Sequence, residues 1–382
     1  LASPHSTIEE LYLAAQLTRG LGSQSIDARL RALDFQHDGQ ARWLGTSIAS
    51  LSNLQSALVV GSNLRKDHPL LAQRVRQAVR KGGQVARLND QAQDWAMPVA
   101  HSVIAPASAW VQHLADIAAA VAAAKGVSAP VAGNAAAPSA QAIAQMLLSG
   151  ERKAVLLGNA AAHHARASSL LALAQFIAAQ TDATFGYLGE AANTVGAQLV
   201  GALPGPGGSN AAQMTQGGLK AVLLLNTEPA LDMVGGERAA LALSQADMVV
   251  SLSPFKANAD IADVLLPIAP FTETAGTFVN TEGRAQSFHG VVRPLGETRP
   301  GWKVLRVLGS LLGLPGFEQE TIEDVRKAAL PNPVSDRLSN ATTASIDIAA
   351  VEHQPCVAAI YQLDGIVRRA PSLQLTADAR GA

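Results

Sequence analysis

Residues Ser56–Leu88 read SALVVGSNLRKDHPLLAQRVRQAVRKGGQVARL, and this stretch decides the fold. Ser56–Val60 is apolar and β-branched, the signature of a strand buried on both faces. It stops at Gly61-Ser62-Asn63. Pro69–Lys81 then places Leu70, Leu71, Val75 and Val79 at helical spacing, with arginines on the other face. Gly82-Gly83 ends the helix and Gln84–Leu88 supplies the next strand. Strand, Gly/Asn turn, helix, strand is the unit of a parallel sheet with helices on both sides.

The unit recurs. Lys153–Gly158 leads through Asn159 to a helix over Leu170–Ala179, and Lys220–Leu225 leads through Asn226 to a helix near Gly236–Ser244 and a strand at Asp247–Leu252. Trp302–Leu312 reads as the last clear helix. Lys125–Ala140 and Gly201–Gly208 (GALPGPGG) read as loops, and Asn332–Ala349 is polar and broken. Gln354–Thr376, with the apolar patch Val357–Tyr361, reads as an extended tail. In such sheets ligands collect beyond the carboxyl ends of the strands, where Gly61, Gly158 and Asn226 stand.

Composition excludes several classes. Across 382 residues, 29 basic side chains balance 30 acidic ones, and no basic cluster carries interleaved aromatics, so nucleic-acid binding is not expected. Charged residues are only 15% of the chain, which fits a surface hidden against partners. The single cysteine, Cys356, reads as a passive packed thiol, because one thiol makes no disulfide, iron–sulfur cluster or zinc site. No apolar run reaches the ~18 residues of a membrane span. The chain begins with Leu and shows no export signal, and it reads as a fragment of a longer polypeptide.

Gly61–Pro69 enters a helix, whose free N–H groups favour anions, but it lacks the dinucleotide fingerprint and the P-loop. A capped helix start with Asp67 or His68 is the plainer reading. His163 and His164 are neighbours and diverge on a helix, so they are poor joint metal ligands; His37, His68, His101 and His289 are isolated. Gly205–Asn210 offers a backbone nest or a plain loop before a helix. Ser209 has no evident base. Asn226-Thr227-Glu228-Pro229 lies at a strand's carboxyl end, with Glu273, Asn280 and Glu282 expected to approach it, either as ligand contacts or as a hydrogen-bonded loop cluster.

Ala262–Arg284 reads ADVLLPIAPFTETAGTFVNTEGR. Asp263–Pro267 is expected as a short buried strand. Glu273 and Gly276 then open a turn that Gly283 closes. The string Asn280-Thr281-Glu282-Gly283-Arg284 resembles the late α/β segment of the molybdopterin oxidoreductase superfamily. With Leu1–Leu11 (LASPHSTIEEL), Gly61–Leu71 (GSNLRKDHPLL) and Tyr361–Thr376 (YQLDGIVRRAPSLQLT), it is similar to one branch, the large iron–sulfur subunit of bacterial NADH:quinone oxidoreductase (respiratory complex I), akin to the mitochondrial 75 kDa subunit.

The resemblance covers the family's C-terminal half. It implies an α/β fold of two doubly wound, mainly parallel-sheet domains, one nested in the other, with an extended C-terminal tail. The bounds implied are 46–175 for the inserted domain, 1–45 with 176–313 for the outer one, and 314–382 for the extension. It further implies a structural portion of complex I on the cytoplasmic side of the inner membrane, peripheral to it, contacting other peripheral-arm subunits. It implies no redox centre, metal or catalytic residue here: iron–sulfur clusters belong to the N-terminal half, and molybdopterin is not expected in this branch. Asn226, Glu228, Gly276, Thr277 and Asn280 would be what remains of a pterin pocket. The rival reading is the C-terminal portion of a molybdopterin-dependent oxidoreductase such as a formate dehydrogenase. A nucleotide-binding module using Gly61–Pro69 is the third.

Overall fold

A computed structural model describes residues 1–352, 355 and 358–380. Cys356 and Val357 fall outside the described residues. In chain order the main elements are α1 (Ile8–Gly20), β1 (Ser56–Val60), α2 (Pro69–Arg80), β2 (Gln84–Asn89), β3 (His101–Ile104), α3 (Trp110–Lys125), α4 (Pro138–Leu148), β4 (Lys153–Leu157), α5 (Ala167–Thr181) and β5 (Thr184–Tyr187). There follow β6 (Ala221–Leu225), α6 (Glu237–Leu243), β7 (Met248–Ser253), β8 (Val264–Pro267), β9 (Gly276–Val279), β10 (Ala285–Phe288), α7 (Gly301–Leu311) and α8 (Ile322–Ala329). Among the described residues no helix is long and apolar enough to cross a membrane.

The chain divides into two compact units. One joins Leu1–Arg31 to Ala191–Leu338, and the other joins Ala32–Glu190 to Ser339–Ala382. Both are discontinuous, and the residues after 313 are shared between them.

The unit built on 32–190 holds a five-stranded parallel sheet in the order β3-β2-β1-β4-β5. The order runs outward in both directions from β1 and β4, which makes the sheet doubly wound and places its switch point between those two strands. β1 and β4 are buried at every position. Successive side chains face opposite ways. Leu58, Val60, Val155 and Leu157 meet α3, α4 and α5 on one face. Ala57, Val59, Ala154 and Leu156 meet α2 on the other. The apolar runs read from sequence are therefore strands clothed on both sides. α3 buries Trp110, Leu114, Ile117 and Val121 among alanines and ends at Gly126, which adopts φ 68°. The loop 126–137 is tied to α3 through Asp116, a buried carboxylate that accepts the Asn134 N–H at 2.8 Å.

Residues 339–348 form a strap across this unit. Asn340 is 5% exposed. Its amide donates to Trp43 O (3.0 Å) and Phe185 O (2.8 Å) and accepts from Trp43 N (2.9 Å). Gln175 exchanges two bonds with the Thr342 backbone, and Arg166 pairs with Asp347 at 2.8 Å. The segment that reads as polar and broken is thus held by its polar groups. Beyond it the chain is not an extended tail: it makes short helical turns at Ile360–Leu363, Val367–Arg369, Pro371–Gln374 and Ala377–Arg380. Local side-chain bonds from Gln374 to Tyr361 O and Val367 O fold this region on itself.

The unit built on 1–31 and 191–338 holds a three-stranded parallel sheet, β6-β7-β8, and an antiparallel hairpin, β9-β10. β8 lies at the sheet edge with most of its residues exposed, so the strand exists but is not buried. Gly276–Val279 is a strand, not the opening of a turn; the turn is Asn280–Arg284, where the Asn280 N–H donates to Arg284 O. α8 follows the helix expected to be the last. α1, which the apolar pattern did not single out, packs against α7, α8 and β9. Its start is a capping box: the Glu10 N–H donates to Thr7 Oγ1, and the Thr7 N–H donates to the Glu10 carboxylate at 3.0 Å.

Candidate functional site

The strand ends of both sheets carry polar residues, as the fold predicts. In the unit built on 1–31 and 191–338, Asn226 follows β6 with φ 51°, in the left-handed region that Asn tolerates. Its side-chain amide donates to Ser6 Oγ at 3.0 Å. Gly276 begins β9 against Thr7: a Cβ built there would lie 2.3 Å from Thr7 Cγ2. The Thr277 N–H donates to the Glu9 carboxylate at 2.9 Å, and its hydroxyl meets Ser287 Oγ at 3.0 Å. Asn226, Gly276 and Thr277 are thus gathered around Ser6–Glu10.

The other two candidates, Asn280 and Glu228, make bonds within their own turns. Asn280 Oδ1 accepts the N–H groups of Glu282 and Arg284, closing its own turn. Glu228 opens the helical turn Pro229–Asp232, and its N–H donates to Asp232 at 2.7 Å. Glu273 likewise turns to Leu295, whose N–H it accepts at 2.9 Å.

Three functional-looking residues escape sequence reasoning. Asn193, fully buried, donates to Ser6 O at 2.8 Å and accepts the Val279 N–H at 2.9 Å, so it joins the loop before α1 to β9. Glu9 and Glu10 are buried carboxyls. Burial pushes Glu10 up to about 7, against the hydrogen bond from the Thr7 backbone, with the neighbouring Glu9 adding to the rise. Burial raises Glu9 too, opposed by its bonds from Thr277. The spacing Thr7-x-x-Glu10 is the one sequence signal that points to any of them.

At the switch point of the five-stranded sheet, Gly61 (φ 64°) and Gly158 allow β1 and β4 to end in close contact. A Cβ on Gly61 would lie 2.5 Å from Ala161 N, and one on Gly158 would lie 2.3 Å from Ser62 Cβ. Two N–H groups of this turn are taken by side chains of the chain itself: Ser62 N donates to Asn89 Oδ1 (3.0 Å) and Asn63 N to Asp67 Oδ2 (2.8 Å). Asp67 therefore occupies an anion's place, bonding back to Asn63 N. His68, the other candidate cap, makes no side-chain cap bond. Burial raises Asp67 to about 6, opposed by the Asn63 bond, with Glu190 adding to the rise. His68 is 6% exposed and its Nε2 has no partner among the described residues. Burial lowers it to about 4, against the attraction of Glu190.

His163 and His164 diverge. His163 Nε2 lies 3.0 Å from Glu190, whereas His164 bonds Ala107 O at 2.9 Å and stacks on Trp110. Around Gly205–Asn210, Ser209 N donates to Ser25 Oγ, so part of that nest is spent within the chain. Among the described residues no group of three or more His, Cys, Asp or Glu side chains is placed to hold a metal.

A nitrate reductase of Shewanella frigidimarina (strain NCIMB 400) is 31% identical over 107 residues, 28% of this chain and 11% of that protein. A Staphylococcus aureus (strain bovine RF122 / ET3-1) protein named for formate dehydrogenase is 42% identical over 66 residues, 17% of this chain and 7% of that one. The mitochondrial NADH-ubiquinone oxidoreductase 78 kDa subunit of Neurospora crassa is 47% identical over 57 residues, 15% of this chain and 8% of the subunit. The aligned part of the chain thus spans about a tenth or less of each relative's length. A chain of the formyltransferase/hydrolase complex from Methylorubrum extorquens superposes with a TM-score of 0.58 at 17% identity, covering 82% of this chain and 90% of that one, which shows a shared fold. Residues 1–311 match the molybdopterin oxidoreductase family, and the chain belongs to it.

Proposed function

We propose that this chain is an architectural α/β portion of the large iron–sulfur subunit of a bacterial-type complex I, and that it braces redox centres carried elsewhere without supplying one. The similarity to the Neurospora 78 kDa subunit supports the branch. The observation that carries the reading is chemical. The family implies a pyranopterin, and the candidate residues do not fit one. Asn226 donates to Ser6, Thr277 is bonded to Glu9 and Ser287, Asn280 closes its own turn, and Gly276 makes room for Thr7. Asn226, Gly276 and Thr277 are engaged with Ser6–Glu10 and Asn280 with its own turn, so the polar groups that a pterin would need are already bonded within the chain. The proposed place is the peripheral arm, on the cytoplasmic side of the inner membrane, in contact with other arm subunits.

The similarities to a nitrate reductase and to a protein named for formate dehydrogenase support the rival, a portion of a molybdopterin-dependent oxidoreductase. One experiment separates them. The tagged protein is isolated from its own membranes, and its molybdenum and tungsten content and its NADH:ferricyanide reductase activity are measured. The expected result is comigration with that activity and no stoichiometric molybdenum or tungsten. Stoichiometric metal with an extractable pterin overturns the proposal.

A further inference from the structure

We infer that the outer face of α2 is a docking surface for an acidic protein partner, recognised by carboxylates through Arg74, Arg76 and Arg80. The redox reading of the chain can fail without touching it. No acidic residue occurs between His68 and Asn89, although the whole chain is balanced in charge. α2 buries Leu71, Ala72, Val75 and Ala78 and turns the opposite side outward. On that side stand Leu70, Arg74, Arg76, Arg80 and Lys81, all exposed, within an arc of about 160° at 100° per residue. Arg74, Arg76 and Arg80 make no ion pair or side-chain hydrogen bond among the described residues. Arg76 and Arg80 are one turn apart, an arrangement of like charges that weakens a helix. A solvated face requires no such concentration, and mixed signs would stabilise it better.

The chain itself shows what this edge accepts. Arg65 pairs with Asp94 at 2.8 Å, and Lys66 pairs with Asp378 from the short helical turn Ala377–Arg380. Cations on the segment leading into α2 are thus met by carboxylates, one of them presented by a helical turn. The three arginines continue the run of cations along the sequence. Guanidinium groups bind carboxylates in bidentate fashion and are enriched at protein interfaces. Leu70, 81% exposed, gives such an interface one apolar anchor. Two other anionic partners fit less well. Residues 61–90 contain no Phe, Tyr or Trp, so there is no stacking platform for nucleic acid and no aromatic anchor for a lipid interface. Leu70 alone gives little insertion into lipid.

The test uses three probes against the full chain: a fluorescein-labelled helical peptide of glutamate and alanine, a 20-base-pair DNA duplex, and phosphatidylcholine vesicles containing phosphatidylserine. The variant is R74Q/R76Q/R80Q, with unfolding followed to show that the fold is kept. The expected result is binding to the acidic peptide that weakens at least tenfold in the variant and several-fold on raising salt from 50 to 500 mM, with weaker binding to duplex and vesicles. Preference for the duplex or the vesicles overturns the assignment in favour of that partner class. Equal peptide binding by wild type and variant, or no binding to any probe, also overturns it. If the variant fails to fold, L70A and the single substitution R80Q give the same readout at lower risk.

Discussion

Substitution Glu10→Gln should stabilise the unit around α1, and should do so only above acidic pH. Glu10 lies in the capping box of α1, and Gly301 packs so closely that a Cβ there would lie 2.4 Å from the Glu10 carboxyl oxygen. Burial holds its titration near 7, whereas an ordinary carboxyl titrates near 4.5. The folded form therefore binds the proton more tightly than the unfolded chain. The group's contribution is full below about pH 4.5 and is lost as pH rises to about 7. A shift of about 2.5 pKa units corresponds to about 3 kcal/mol. Gln cannot ionise, and its carbonyl oxygen can accept the same Thr7 N–H, so the capping box survives. The advantage of E10Q over the wild type should grow by about 1 kcal/mol between pH 4.5 and 5.5, reach about 3 kcal/mol by pH 7, and stay level at pH 8.5. Urea unfolding at these pH values, with hydrogen exchange at the amides of residues 11–17 to localise the effect, measures it. Parallel profiles for the two proteins would refute the reasoning, because they would mean that Glu10 ionises in the native state without cost.

Three further outcomes follow from the same geometry. Asn340→Ala removes three hydrogen bonds from a buried amide and leaves the Trp43 and Phe185 backbone groups unmet, so it should cost roughly 2–4 kcal/mol, read as a lowered midpoint in urea. Gly276→Ala drives a methyl group against Thr7 and should destabilise by roughly 1–3 kcal/mol; Thr7→Ser, which deletes the opposing methyl but keeps the cap hydroxyl, should recover part of that loss, and no recovery would point to a different cause. His68 is buried and neutral, with its titration depressed to about 4, so its contribution is present above about pH 6.5 and lost as pH falls toward 4. His68→Gln should gain about 2–3 kcal/mol relative to wild type between pH 7.5 and 4.5 in urea unfolding; the opposite trend from Asp67, whose raised value favours the folded form as pH falls below about 6, is common to both proteins and cancels.

The doubly wound sheet is legible because its strands are continuous apolar runs that stop at Gly61, Gly158 and Asn226. The helices that escape reading are the alanine-rich ones. In α3 and α4 alanines stand between the large apolar residues and continue past them, as at Ala118–Ala120 and Ala122–Ala124, which blurs the helical period. α1 is buried nearly all round, Glu9 and Glu10 included, so it shows no polar outer face, and α8 is announced only by the Thr321-x-x-Asp324 box. β9 is read as a turn because its partner, β10, lies beyond Gly283, the glycine that closes the loop in sequence. The candidate site is legible only in part. Asn226 and Gly276 are marked by their place at a strand end and in a motif, but what they touch is Ser6 and Thr7, more than two hundred residues away. Asn193 has no local signal at all: its role is to satisfy two backbone groups brought together from residues 6 and 279.

The division of the chain has a consequence for biosynthesis. Residues 1–31 leave the ribosome long before 191–338, with which they fold, and 32–190 emerge between them. At about 5–20 residues per second that interval is roughly ten to thirty seconds. During it, the exposed apolar stripe of α1, with Ile8, Leu11 and Ala15, has none of its final neighbours. The inner sheet, for its part, waits for Asn340 before its β5 edge is sealed. Assembly is therefore interleaved, each unit closing on a segment translated after most of the other, and a nascent chain stalled near residue 190 should be a ready client for a chaperone.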